Sequence, residues 1–209
     1  MSETSSSRIP CEPIPAADRA SARRLLRARR ASEASGSRRD ADRCLFRAVG
    51  ELIAGLGQAA PVIAAYWPMS GEPDPREALA DWHRAGWRLA LPAVRQLNAP
   101  LDFFAWAPGD EMAGGLLGTW QPARQVACVP DVLVIPCLGF DGRAYRLGYG
   151  GGFYDRTLAA LTGAGRRVVT IGVAHDDAQV VGFEPHAHDR ALDCIVTESR
   201  RIASRPAPR

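Results

Sequence analysis

Arg146-Leu147-Gly148-Tyr149-Gly150-Gly151-Gly152-Phe153-Tyr154-Asp155-Arg156 is the stretch from which the rest of this chain is read. An apolar run, Val132-Leu133-Val134-Ile135-Pro136, precedes it, and a helical pattern from Thr157 to Leu161 follows. Strand, glycine loop and helix in that order let backbone N–H groups converge on an anion. Four glycines within five residues clear side chains from a backbone that must approach a ligand or take positive φ. Arginines at both ends suit phosphate or carboxylate, and Asp155 suits a metal ion. The loop lacks the lysine and Ser/Thr of a Walker A motif, and glycines at 148, 150 and 152 lack dinucleotide spacing. A glycine cluster by itself also reads as a plain turn. The aromatic pair Phe153-Tyr154, able to stack on a flat heterocycle, and the carboxylate behind it favour a nucleotide or phosphate site.

Outward from the loop, buried-strand patterns recur at 61–67, 88–94, 101–106, 167–174 and 193–197, with helical patterns between several of them. Asp18 is placed to cap a helix through Arg30, and a second helix runs from Asp40 to Leu56 with Leu45, Val49, Leu52, Ile53 and Leu56 on one face. Asp74, Pro75 and Glu77 read as N-cap, N1 and N3 of a third helix that stops at Gly86. Residues 107–125 are weakly patterned and read as loops. Strands separated by helices predict an α/β fold: one domain, a largely parallel sheet with helices on both faces, Rossmann-like and three-layered. Residues 1–15 read as a disordered tail, 16–200 as the domain, and 201–209 as a frayed end.

The net charge is +3, and arginine crowds the first fifty residues. The chain contains no lysine, which excludes Schiff-base and P-loop lysine mechanisms and leaves every cationic contact to arginine. Arg19, Arg23 and Arg27 fall on one helical face, which reads as a solvated basic surface or a nucleic-acid patch. No apolar run is long enough to cross a bilayer and no signal peptide opens the chain, so a cytoplasmic protein is expected. Five scattered cysteines without a C-x-x-C pair read as free thiols. Glu72 and Asp74 sit on the loop after the first strand, where open α/β sheets bind ligands; they also serve as ordinary turn residues.

Ile135-Pro136-Cys137-Leu138-Gly139-Phe140-Asp141, followed by Arg146 through Arg156, closely resembles the signature of the 5-formyltetrahydrofolate cyclo-ligase (5,10-methenyltetrahydrofolate synthetase) family. The N-terminal basic helix, Tyr66-Trp67, Gly71-Glu72-Pro73-Asp74 and His188-Asp189-Arg190-Ala191-Leu192-Asp193 match it in family order. The resemblance spans roughly 18–197. Two positions depart from it: Ala144 stands where the family usually has glycine, and Arg19 stands where it often has lysine. If the family glycine takes positive φ, Ala144 costs on the order of 1 kcal/mol.

The resemblance implies ATP- and Mg²⁺-dependent closure of 5-formyltetrahydrofolate to 5,10-methenyltetrahydrofolate, by phosphorylation of the formyl oxygen and intramolecular attack. It implies that Arg19, Arg23, Arg146, Leu147, Gly148, Tyr149, Gly150, Gly151, Gly152, Phe153 and Tyr154 meet ATP, with Arg146 and Tyr154 catalytic. Trp67, Glu72 and the run Tyr149 to Phe153 would meet the folate, and Asp155 and Asp189 the metal. The expected partners are these two substrates, with no nucleic acid and no membrane, and the chain acting as a monomer. An α/β enzyme that handles a sugar phosphate or CoA ester without ATP would use a similar anion loop. An RNA-binding protein would use the basic N-terminus, although that stretch has no interleaved aromatics.

Overall fold

Aliphatic runs buried on both faces belong in the middle of a helix-covered parallel sheet, and that is where the structure puts 62–64, 132–136, 169–173 and 194–196. The computed structural model describes residues 13–15, 18–32, 38–182, 184–186 and 189–204. In chain order its first half holds β1 (Ile14–Pro15), α1 (Arg19–Ser32), α2 (Arg39–Ala54), β2 (Val62–Ala64), α3 (Arg76–Arg84), β3 (Arg88–Ala93) and β4 (Asp102–Trp106). Next come β5 (Met112–Gly114), β6 (Trp120–Pro122), β7 (Val132–Pro136), β8 (Gly139–Phe140) and β9 (Arg146–Leu147). The chain continues through α4 (Phe153–Gly163), β10 (Val169–Val173), β11 (Val180–Val181), β12 (Cys194–Val196) and β13 (Arg201–Ala203).

Among the described residues, seven strands form the main sheet in the order β13-β12-β10-β7-β2-β3-β4. The five central strands are parallel, and the edge pairs β3–β4 and β12–β13 are antiparallel. Strand alternation divides the core between the two faces. Val132, Val134, Ile171 and Val173 pack with Leu45, Phe46, Val49 and Ile53 of α2 and Leu79 and Trp82 of α3. Leu133 and Ile135 pack on the other side with Ala22 and Leu26 of α1 and Leu158 of α4. This is the expected three-layer α/β arrangement. Among the described residues no helix is long and apolar enough to cross a membrane.

Several boundaries differ from the sequence reading. Residues 1–12 lie outside the described residues, but Ile14–Pro15 pair in parallel with β11, and Ile14 is buried. Ile14 and Pro15, read from sequence as part of a tail, therefore belong to the fold. At the other end, Arg201–Ala203 form an antiparallel edge strand on β12, so the sheet extends past the expected limit at 200; residues 205–209 lie outside the described ones. The weakly patterned stretch 107–125 contains a β5–β6 hairpin. Two-residue and three-residue strands are too short for alternation to register in sequence. The fourth helix begins at Phe153, four residues earlier than its periodicity indicates, because Gly152 takes a left-handed conformation (φ +64) and turns the chain into it. In the first helix, the Ser21 N–H donates to Asp18 Oδ1 at 2.8 Å, the cap read from sequence. At the third, Asp74 accepts the N–H of Arg76 at 3.0 Å from one position further out than expected.

Ala144 sits in the turn joining β8 and β9, with φ +64 and no exposed surface. Asp141 holds the turn by accepting the N–H groups of Arg143 and Tyr145 on Oδ1, each at 2.9 Å. The Ala144 carbonyl in turn accepts the Leu192 N–H at 2.9 Å, so the backbone cannot relax away from positive φ without losing that bond. Ala144→Gly should stay within about 1 kcal/mol of the parent, since relief of the left-handed strain is offset by the lost buried methyl and a freer unfolded chain. Ala144→Val should lose at least about 2 kcal/mol, because a β-branched residue tolerates neither that φ nor the enclosed space. Denaturant unfolding measures both, and a valine variant as stable as the parent would contradict a strained turn.

Candidate functional site

In sequence the strands leave β2 in two directions, β3 and β4 to one side, β7, β10 and β12 to the other. The segments after β2 and β7 therefore part at the carboxyl ends of adjacent strands, and such a switch point leaves a crevice. A cavity of about 1010 Å³ occupies it. Tyr66, Trp67, Met69 and Glu72 line it from the β2 side and Pro136 from the end of β7. Arg19 and Arg23 of α1, the glycine loop, and Phe153, Tyr154 and Asp155 of α4 complete one wall. Leu117 and Trp120 reach it from the β5–β6 hairpin, and Asp189 from the segment before β12.

The glycine loop is held by arginines on a single face of α1. Arg23 Nε donates to the Gly148 carbonyl at 2.9 Å, and Arg27 Nη2 to the Tyr149 carbonyl at 3.1 Å. Gly150 and Gly152 have φ of +104 and +64, conformations that L side chains rarely adopt. Gly148 is not at positive φ and a Cβ there would meet open space, so the loop's glycines do not share one reason for being glycine. Gly152 opens α4, so the first-turn N–H groups of that helix lie among cavity-lining residues. The cationic side of the site is crowded. Burial, then the charges of Arg19 and Arg27, pull Arg23 below the usual arginine range, and Asp189 opposes them. An anion would relieve that repulsion.

Each acidic residue assigned to a metal meets an arginine. Arg146, almost fully buried, donates through Nη2 to Asp155 Oδ1 at 2.5 Å. Arg19 grips Asp189 with both Nη groups, and the His186 N–H adds a bond to Asp189 Oδ2 at 2.6 Å. Burial alone would raise Asp189, but Arg19 and the His186 N–H hold it below the ordinary carboxylate range. Among the described residues no three His, Cys, Asp or Glu side chains gather as a metal cage, and His188 lies outside them. A Mg²⁺ site differs from such a cage: one or two carboxylates suffice, with phosphate oxygens and water completing the shell. Asp155 fits that chemistry, since Arg146 engages only Oδ1. Asp189 would have to share oxygens already bonded to Arg19.

Opposite the arginines, Glu72 is buried, with Oε2 accepting the Met69 N–H at 2.9 Å and Oε1 without a hydrogen-bond partner. Burial pushes this carboxyl up, against the Met69 N–H, Arg30 and Tyr149. Glu72 lines the cavity, and a carboxyl with an oxygen left without a partner suits a ligand that brings N–H donors. Tyr154 is raised far above the usual phenol range, by burial first and the Glu72 charge second, and Tyr149 is pushed up to about 12 by the same two causes. Both phenols stay protonated and can donate. Trp67 meets Trp106 edge-on at 5.9 Å between ring centres.

Of the residues singled out from sequence, Arg19, Arg23, Trp67, Glu72, Arg146, Asp189 and the run from Gly148 to Asp155 all line this one cavity. Leu147 does not; its side chain is packed in the core beneath the loop. Asp74 is drawn into an ion pair with Arg76 and away from the site. The sequence reading missed Trp120 and Leu117, which are half or more exposed; Trp120 opens a three-residue strand and Leu117 sits in the short 3₁₀ turn before it, both too short to recognise. An unexplained tryptophan in a polar loop was the available signal. Arg27 falls on the basic face, where an Arg23–Arg27 pair fits the spacing as well as Arg19–Arg23, but its acceptor could not be read. Arg30 was missed, and the partners of both lie more than a hundred residues away.

The model of the 5-formyltetrahydrofolate cyclo-ligase family matches residues 15–198. A 5-formyltetrahydrofolate cyclo-ligase of Mycolicibacterium smegmatis is 32% identical over 163 residues, covering 73% of this chain and 81% of that protein. One from Escherichia coli is 33% identical over 147 residues, covering 68% of this chain and 80% of that protein. In fold, the chain is similar to Aquifex aeolicus 5,10-methenyltetrahydrofolate synthetase, with a TM-score of 0.76 at 22% identity over 91% of this chain and 95% of that one.

The Arg19–Asp189 pair has a pH signature. A folded-state pKa below the unfolded one stabilises fully above the ordinary carboxylate value near 4, and the contribution disappears as pH falls through the folded value. Asp189→Asn should therefore be less stable than the parent by about 1 kcal/mol at neutral pH, with the gap closing in acid below about pH 4. Unfolding curves across pH measure it, and a gap that does not change with pH would rule the pairing out as its source.

Proposed function

This chain belongs to the 5-formyltetrahydrofolate cyclo-ligase family, a family of ligase enzymes, and from that premise we propose that it closes 5-formyltetrahydrofolate to 5,10-methenyltetrahydrofolate with ATP as co-substrate. ADP and phosphate are the other products. One observation carries this reading: a single cavity holds an arginine-and-glycine wall suited to phosphates together with Trp67, Trp120 and the unpaired Glu72 acceptor suited to a flat, amino-bearing ring.

A formamide carbonyl is a poor electrophile and its oxygen a poor leaving group. When that oxygen attacks the ATP γ-phosphorus, ADP leaves and the carbonyl carbon becomes activated. The N10 lone pair then adds to it, N10 gives up its proton, and the C–O bond breaks to release phosphate. Such a sequence needs positioning and charge neutralisation more than a protein nucleophile. Arg19 and Arg23 would take phosphate oxygens from α1. Arg146, already held by Asp155, would meet the transferring phosphoryl group, and the loop N–H groups its equatorial oxygens. Tyr154, kept protonated by burial, would donate a hydrogen bond at the reacting oxygen. Trp67 would pack on the pterin, while Glu72 accepts from its amino-pyrimidine N–H groups, and Tyr149 to Phe153 would border both substrates. Asp155, with Asp189 as a second carboxylate, would hold Mg²⁺, which when bound neutralises charge on the phosphate oxygens.

Purified protein mixed with 5-formyltetrahydrofolate, ATP and Mg²⁺ should develop the near-ultraviolet absorbance of the methenyl product, and the ATP-free control should not. No product above that control sinks the proposal, and equal product without ATP points to ATP-independent chemistry. Asp155→Asn should raise the Mg²⁺ concentration needed for half-maximal turnover by about tenfold or more, and, because it also removes the carboxylate charge from buried Arg146, it should lower the thermal midpoint. Unchanged Mg²⁺ dependence would remove Asp155 from the metal site.

A further inference from the structure

Arg30, seven residues past Arg23 on α1, does not line the cavity but stands behind its wall and joins three segments there. Its Nη1 donates to the Tyr149 hydroxyl at 2.6 Å, and its guanidinium carbon lies 5.8 Å from the centre of the Tyr149 ring. Its Nη2 donates to the carbonyl of Cys137, one residue past β7. On the third side the backbone of the β2–α3 loop presses against it: a Cβ built on Gly71, where φ is +77, would lie 3.2 Å from Arg30 Cβ. The residue after Gly71 is Glu72. Arg30 thus touches the strand end, the glycine loop and the Glu72 loop at once.

We propose that Arg30 is a positioning residue for the pterin end of the cavity, holding the Tyr149 side chain in place and supplying the positive charge set against the buried Glu72 carboxylate. Assigning that end to the pterin rests on the function proposed above. The groups around Glu72 come from every neighbouring element. Tyr66 follows β2, Cys137 follows β7, Tyr149 lies in the glycine loop and Tyr154 in α4; burial raises all four, so they are neutral near pH 7. The Met69 N–H is a dipole without net charge. Arg146 acts on Tyr154 and Cys137, and Asp42 on Tyr66. Arg30, which packs against Gly71 next to Glu72 and donates to the Tyr149 hydroxyl, is among the described residues the cation that opposes the desolvation of Glu72. Without that charge the carboxyl would protonate at higher pH and present an O–H where a pterin needs an acceptor.

The test uses the full chain with glutamate labelled at the δ-carbon by ¹³C, the Glu72 signal being assigned by its loss in Glu72→Gln. In Arg30→Met the Glu72 titration midpoint should rise by about one pH unit or more. The KM for 5-formyltetrahydrofolate should rise by about tenfold or more while that for ATP stays within about twofold, and the acid limb of kcat/KM should move up with the titration. Arg30→Lys keeps the charge and loses the two-pronged grip, so it should restore the titration midpoint but not the full folate KM. If Arg30→Met does not fold, Arg30→Gln, which keeps a donor and removes the charge, takes its place. An unmoved Glu72 midpoint, or both KM values rising together with a lower thermal midpoint, would reduce Arg30 to a structural prop and overturn the proposal. If the parent protein makes no methenyl product, the function fails, yet the ¹³C titration still decides whether Arg30 controls Glu72.

Discussion

A loop with four glycines in five residues has little side-chain packing to hold it and much backbone freedom to lose. In this protein its conformation depends on charge-assisted hydrogen bonds from one arginine face of α1, with Arg23 and Arg27 on successive carbonyls and Arg30 on the Tyr149 hydroxyl. Bonds of this kind are about twice as strong as neutral ones. They also gather like charges within reach of one another: burial first, and then the charges of Arg19 and Arg27, depress Arg23. The clasp that orders the loop therefore leaves the same corner short of negative charge. Loop order and the local excess of positive charge arise from one set of side chains.

That clasp works only because of where the sheet sends its segments. The change of strand direction between β2 and β7 opens a crevice at their carboxyl ends, and α1 and α4 lie together on the face beside it. α1 contributes cations, α4 contributes its N-terminus and Asp155, and the segment after β2 contributes Trp67 and Glu72. Glu72 and the arginines make opposite demands on the environment. Burial costs the carboxylate its hydration, and Arg30 behind the wall offsets part of that loss without occupying the cavity. A cavity with a cationic wall and one buried acceptor can take a ligand pair of unlike chemistry, phosphates on one side and a hydrogen-bonding ring on the other.

Much of this was legible in the linear chain. The aliphatic runs at 132–136 and 169–173 read as buried strands, the 45–53 face as a packed helix, and Asp18 as a cap, because each signal is local and repeated. Residues from Gly148 to Asp155, together with Trp67 and Glu72, stand out in the sequence and meet in one cavity. Leu147 broke the pattern, since strand alternation turns its side chain into the core. Short elements were lost: the β5–β6 hairpin and the edge strand at 201–203 have too few residues to show a period, so Trp120 went unread. The start of α4 was also misplaced, because it is set by one left-handed glycine and not by apolar spacing.

The sequence by itself determined which chemistry is possible. Without lysine, phosphate contacts fall to arginine, and the ordered signature from Ile135 to Arg156 identified the family before the fold was known. It also marked Ala144 as the position under strain, which the left-handed backbone there bears out. Only the tertiary structure decided partnership. Arg19 finds Asp189 across 170 residues, Arg146 closes on Asp155, and Arg30 reaches Tyr149 across 119. Arginine side chains are long and interchangeable on a helix face, so spacing says which of them share a side but not which acceptor each will meet. That choice belongs to the sheet, which fixes the acceptors before the arginines can reach them.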